Sequence, residues 1–235
     1  MITIKGKHSV LEALLSGVSI SDITVFDQNP TGDLKKIIHL ATQKGILVRK
    51  QQQKKFHNRQ GLAHQNVMAT ISHLNMQPLS ILNPTDHPLV VALDHLEDPF
   101  NVGAIMRTCH CLGVNAIIMP KDRQAPINDA LIKASSGAAY YMSLIHVSNI
   151  ANTLINCQKD GYWLYSGDSE QGTNLYDISV AFPTILVVGN EHSGISKRVS
   201  KIVDNHIKIE MRGHIDSLNV SVATGIILYE LSKQL

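Results

Sequence analysis

Three short segments of this 235-residue chain carry side chains that could steady a developing negative charge, orient a nucleophile and hold a ligand. The first, PFNVGAIMRT, offers the amide of Asn101 and, further along, the guanidinium of Arg107. Asn101 can cap the helix that follows, which leaves Arg107 on its second turn. The second, GNEHSGIS, sets Gly189 and Gly194 at the spacing of a phosphate-binding loop, but Ile195 stands where the phosphate-gripping lysine belongs. Glu191 inside that loop would repel a triphosphate, so the loop suits a cationic ligand or one rich in hydrogen-bond donors. The third, IKIEMRGHIDSLNVSVATG, sets Ser217 and Asn219 ahead of an apolar helical run. There backbone groups could wrap a ligand while the hydroxyl and amide hold a second substrate.

Each feature has a plain structural alternative. Asparagine is a favoured helix N-cap, and on local grounds that is the expected place of Asn101. Arg107 could be an exposed, salt-bridging helix residue. Glu191 could be an acidic residue favoured by a helix dipole, and Ser217, Asn219 and Ser221 could do no more than cap a helix. Other chemistries fall away. Cys109, His110, Cys111 and the distant Cys157 do not have a zinc spacing, so no metal site is expected. GxSxG, HExxH and GxGxxG are absent, which removes the usual hydrolase, zinc protease and dinucleotide readings.

The elements that must position these segments follow from periodicity. Apolar runs at Leu89 to Leu93, Ala116 to Met119, Tyr162 to Tyr165, Ile185 to Val188 and Ile207 to Ile209 alternate with helix-like stretches. That alternation predicts an α/β fold with a largely parallel sheet covered by helices, and ligands outside the carboxyl ends of its strands. After Leu93, Pro99 to Gly103 is expected as a loop and Ala104 to Leu112 as a helix; Val220 to Leu231 should form a terminal helix on the sheet. Three prolines within residues 76–88 predict a linker, dividing the chain into 1–75 and 89–235. The first part reads as a small α/β domain with a helix over Ser9 to Leu15, a strand over Ile23 to Phe26, a helix over Asp33 to Gln43 and a strand over Ile46 to Arg49. The polar KQQQKKFHNRQ that follows is expected as a mobile surface loop.

Charge supports that division. The net charge is only +2, yet residues 1–75 hold ten Lys/Arg against four Asp/Glu, while the remainder holds eleven against fifteen. The basic part is the electrostatic footprint for a polyanion, or simply a solvated face. Hydrophobic residues at 44% and charged residues at 17% exclude a disordered chain, and the mean hydropathy is +0.01. No apolar run approaches the roughly 18 residues of a membrane span, and no apolar stretch resembling a secretory signal follows the N-terminal lysines. Three cysteines make no disulfide framework, so the cytoplasm is the expected compartment.

Taken together, the order NxGAIxRT, GNExxGIS and IxIxMxGxxxSLNVSVATGIxLYE resembles the SpoU branch of the SPOUT methyltransferases, over about residues 89–235. KGKHSVLEALLSG, QKGILVRK and GLAHQNVMATI look like the L30e-like substrate domain of that family's 23S rRNA guanosine 2'-O-methyltransferases. The resemblance implies a trefoil-knotted α/β domain, an exception to the rule that chains avoid knots. It also implies a homodimer and an S-adenosylmethionine site against backbone groups near Gly189, Ile209, Met211 and Leu218. The implied reaction methylates a ribose 2'-hydroxyl, with Arg107 as the catalytic arginine supported by Asn101, Glu191, Ser217 and Asn219. On this reading Arg107 stabilises the alkoxide while the proton passes to an RNA phosphate or to water. Large-subunit rRNA or a ribosome assembly intermediate is the expected partner, with Lys50, Lys54, Lys55 and Arg59 on its phosphates. His192 and Asp216 depart from the family pattern, which has a glycine and a small residue there. A tRNA ribose methyltransferase and a non-catalytic RNA-binding assembly factor are the competing readings.

Overall fold

The computed structural model describes residues 1–51, 64–168, 172–191 and 193–235. Its N-terminal part runs β1 (Ile2–Lys5), α1 (Lys7–Ser16), β2 (Ile20–Val25), α2 (Asp33–Gln43), β3 (Leu47–Lys50) and β4 (Val67–Ile71). These strands form a four-stranded sheet in the order β1-β4-β2-β3. Strand β4 lies antiparallel between β1 and β2, and its alternating burial gives it one face on the core. Neither β1 nor β4 is among the expected strands: β1 spans only four residues, and β4 lies beyond the basic segment.

The second sheet has eight strands in the order β10-β12-β9-β11-β6-β7-β8-β5, and all its pairings are parallel. They are β5 (Met76–Gln77), β6 (Leu89–Asp94), β7 (Ala116–Pro120), β8 (Ser143–Val147), β9 (Trp163–Asp168), β10 (Thr173–Asn174), β11 (Thr184–Gly189) and β12 (Asn205–Lys208). The helices are α3 (Pro99–Cys111), α4 (Asp129–Ala134), α5 (Ile150–Lys159), α6 (Lys197–Ser200) and α7 (Val220–Ser232). Strands β6 and β7 are buried along their whole length because both faces are covered. Leu89, Val91 and Leu93 pack with residues of α3, α4 and α7, whereas Val90 and Ala92 pack with those of α5.

Two expectations are corrected here. Residues 76–88 are not merely a linker, because β5 extends the large sheet by pairing with β8 and Leu79–Ile81 forms a single 3-10 turn. The prolines flank these pieces and do not abolish them. The stretch from Pro99 to Gly103 is helix, not loop: Pro99 takes the first helical position, where its missing N–H costs nothing. Close helix packing then depends on Gly103, where a Cβ would collide with the Leu131 carbonyl oxygen and the Ala134 side chain of α4.

The two sheets share one apolar core. Polar contacts reinforce the seam: the Lys5 backbone N–H donates to Asp129 Oδ1 (2.8 Å), and the buried Tyr140 hydroxyl donates to the Ser9 carbonyl (3.1 Å). Among the described residues no helix is long and apolar enough to cross a membrane.

Candidate active site

Chain order reverses across the pair β6 and β11. From β6 the chain builds outward through β7 and β8, then crosses over to β9 and returns to place β11 beside β6. Such a switch point leaves a crevice at the carboxyl ends of the strands. The register sets Gly189 opposite Asp94, so the loop after β11 and the start of α3 emerge side by side.

That loop is closed tightly. Asn190 and Gly194 exchange backbone hydrogen bonds of 2.9 Å, and a Cβ on Gly189 would lie inside the Gly194–Ile195 peptide. Asp94, only 1% exposed, ties the loop's far end to β6 by accepting from the Ser196 backbone N–H and by a hydrogen bond with His95 Nδ1, both at 2.6 Å. His95 takes a left-handed φ of 63°, and its carbonyl accepts from Asn190 Nδ2 at 3.0 Å. The loop therefore hangs on buried or backbone groups at both ends.

Glu191, at its tip, accepts a hydrogen bond from Asn101 Nδ2 at 2.7 Å, and Asn101 Oδ1 accepts one from Asn219 Nδ2 at 2.9 Å. Asn101 is not the helix cap. Asp98 takes that role, accepting from the backbone N–H groups of Phe100 (3.1 Å) and Asn101 (3.3 Å), which leaves the Asn101 amide to bridge the two loops. Asn219 does cap α7, its Oδ1 accepting from the Ser221 and Val222 backbone N–H groups. One capping residue thus also ends a polar chain that runs through α3 to a carboxylate.

Behind this chain lies a cavity of about 550 Å³, within the range of small-molecule sites. Its lining includes Gly189, Ile209, Met211 and Leu218, together with Glu191 and Ser217. The charged residues lining it are Asp168, Glu191 and Asp216, with no lysine or arginine among them. An acidic, lysine-free and backbone-rich cleft fits a sulfonium-bearing nucleoside better than a phosphorylated one. Asp168 and the neighbouring backbone of β9 are additions to the residues expected from sequence, although their place at a strand end was the available signal.

Arg107 stands apart. It lies on the exposed face of α3 and makes no hydrogen bond or ion pair with any described residue. Beside it α3 and α7 leave a shallow apolar groove lined by Ala104, Thr108, Val222, Ile226 and Tyr229. Of the basic residues expected on RNA, Lys50 ends β3 as an exposed strand residue and is not in the loop. Lys54, Lys55 and Arg59, like His192, lie outside the described residues.

Comparison with known proteins agrees with this architecture. Residues 88–229 match the SpoU rRNA Methylase family, and residues 3–77 match the RNA 2'-O ribose methyltransferase substrate binding family. A Staphylococcus saprophyticus protein assigned to the TrmH family tRNA/rRNA methyltransferases is 33% identical over 238 residues, covering 99% of this chain and 96% of its own length. The AdoMet complex of the SpoU methyltransferase AviRb from Streptomyces viridochromogenes superposes with a TM-score of 0.81 at 20% identity, over 99% of this chain and 89% of that one. The AdoMet-bound rRNA methyltransferase of Sinorhizobium meliloti gives 0.82 at 22%, over 100% and 87%. These two likenesses show a shared fold, and the family match with the 33% relative shows kinship. The chain belongs to the SpoU rRNA methylase family of RNA methyltransferases, which use S-adenosylmethionine.

Proposed function

We propose that this protein transfers a methyl group from S-adenosylmethionine to a ribose 2'-hydroxyl of RNA, at a guanosine of 23S rRNA. The observation that carries the reading is the chain Asn219–Asn101–Glu191 at the mouth of an acidic, lysine-free cavity. The bound cofactor would supply an electrophilic methyl group and be held by the backbone around Gly189, Ile209, Met211 and Leu218. Polar side chains from α3 and from the segments after β11 and β12 can orient a hydroxyl there, with Ser217 lining the same cavity and Arg107 as the cation for the developing alkoxide. The proton leaves to an RNA phosphate or to water, because a guanidinium does not accept it.

The match of residues 3–77 to a substrate-binding family supports a large RNA target, either large-subunit rRNA or a ribosome assembly intermediate. The exposed apolar face of α3 and α7 supports a homodimer, since Val222 at 50% and Tyr229 at 55% exposure are costly to leave in water. Arg107 adjoins that face without a partner among the described residues, so pairing through it would bear on the chemistry. A trefoil knot through the C-terminal segment and a cytoplasmic location complete the reading. The relative's designation tRNA/rRNA keeps tRNA as the second substrate class.

Mapping ribose 2'-O-methyl groups on total RNA from cells with and without the gene tests the proposal. Loss of a single guanosine mark in 23S rRNA is the expected result. Loss of a tRNA mark would redirect it, and no lost mark would leave the assembly-factor reading standing.

A further inference from the structure

Phe100 has no evident role in the packing around it. It is the second residue of α3 and is 63% exposed, yet its backbone is firmly held. Pro99 restricts the turn, and the Phe100 N–H donates to Asp98 Oδ1 at 3.1 Å. A large aromatic ring is thus presented to solvent on a rigid helical turn and not on a loop. Its neighbour Asn101 bonds both Glu191 and Asn219. Seven residues along an α-helix return to within about 20° of the same stripe, so Phe100 shares the exposed face of α3 with Arg107. The ring does not line the cofactor-sized cavity, nor the apolar groove between α3 and α7.

We infer that Phe100 is a stacking platform for an unstacked base of the substrate RNA, at or beside the nucleotide whose ribose is methylated. The inference rests on the RNA methyltransferase reading and adds a recognition residue to it. Presenting one 2'-hydroxyl to the Asn101–Glu191 pair requires its nucleotide to be displayed outside regular stacking, and the displayed base needs a new surface. Exposed aromatic rings provide that surface in RNA-binding proteins, with little dependence on base identity. The ring sits one turn before Ala104, on the ridge of α3 that borders the apolar groove. What ties it to RNA is its neighbour Asn101, which bonds Glu191 and Asn219, and a role in pairing of copies is the outcome that sedimentation reads.

The experiment uses the full chain and total RNA from cells lacking the gene. Phe100→Ala should raise the KM for RNA at least about fivefold, with cofactor Kd and Tm unchanged, while Phe100→Tyr restores the KM. In a Trp163→Phe background, Phe100→Trp supplies the sole indole, since the chain has one tryptophan. A short single-stranded RNA oligonucleotide of mixed sequence should quench its fluorescence. An unchanged KM in Phe100→Ala, or an unquenched indole, overturns the stacking role, as does a sedimentation shift to a smaller species that accounts for the KM change. If the wild-type chain methylates no RNA, the function proposed above fails instead, and the quench is still read by itself.

Discussion

Asn219 donates to Asn101 across 2.9 Å while its own carbonyl oxygen caps α7, so one amide performs two separable tasks. Capping needs an acceptor; the link to Asn101 needs a donor. Asn219→Asp keeps the first and destroys the second, setting a carboxylate against the Asn101 oxygen. Aspartate caps as well as asparagine, so the melting temperature should hold within a few degrees while methyl transfer falls by about 100-fold, as for loss of a positioned polar group. Asn219→Ala, by contrast, should also cost about 1 kcal/mol of stability. Parallel thermal melts and tritium transfer from labelled cofactor read both effects. An Asn219→Asp enzyme of full activity would show that the polar chain does not orient substrate.

Arg107 makes no hydrogen bond or ion pair with any described residue, which gives its replacement a clean readout. Arg107→Ala should lower kcat by about 100- to 1,000-fold, with the cofactor Kd within a few-fold of wild type, because the guanidinium is assigned to the transition state. Arg107→Lys keeps the charge without the planar fork and should recover only part of the rate. Calorimetry with the cofactor and single-turnover kinetics separate these quantities. An active Arg107→Ala enzyme would remove the residue from the mechanism.

What the sequence could and could not disclose follows from the range of the interactions. Helix α2 is expected and found over Asp33–Gln43, because its apolar period and its boundaries are both local. The start of α3 was hidden because proline reads as a breaker, whereas here it occupies the first helical turn behind the Asp98 cap. Strand β8, SLIHV, has His146 in its apolar run, and its burial depends on neighbouring strands. The glycines and polar residues of the site were legible as motifs. The bond from Asn101 to Glu191 was not, since it joins residues 90 positions apart through the parallel register of β6 and β11. Local sequence alone favours Asn101 as a cap, whereas Asp98 holds that place in the fold.

The thiols give a pH-dependent check on the core. Burial pushes Cys157 up to about 11 from an ordinary 9.0 and Cys109 further in the same direction, whereas Cys111 is exposed. At pH 8 a disulfide reagent should titrate one thiol rapidly in the native protein and three after denaturation. The sign for stability follows from linkage: a raised folded-state value keeps the folded thiols protonated while the unfolded chain ionises. Stability is thus fully present below pH 9 and declines as pH rises toward 11, so the urea midpoint should be lower at pH 10 than at pH 8. Two rapidly reacting native thiols would contradict the burial of α3 or α5.

The basic segment of the N-terminal part tests how RNA is gathered before the chemistry. Lys50, Lys54, Lys55 and Arg59 fall within ten consecutive residues of a region whose lysines and arginines outnumber its acids ten to four. Such side chains neutralise phosphates and release counterions, so affinity depends on salt but hardly on base identity. Changing all four to alanine should weaken RNA binding and flatten the plot of log affinity against log salt, by up to about 0.7 per lost contact on single strands. Cofactor binding should not change, because the cavity lies at the carboxyl ends of β9, β11 and β12 in the other part of the chain. The choice of ribose should persist as well, since phosphate contacts hold the RNA without reading it. A purely solvated surface predicts neither change, so filter binding across a salt series decides between the two. If the quadruple variant binds and methylates like wild type, RNA is gripped elsewhere, and the charge excess serves only the surface.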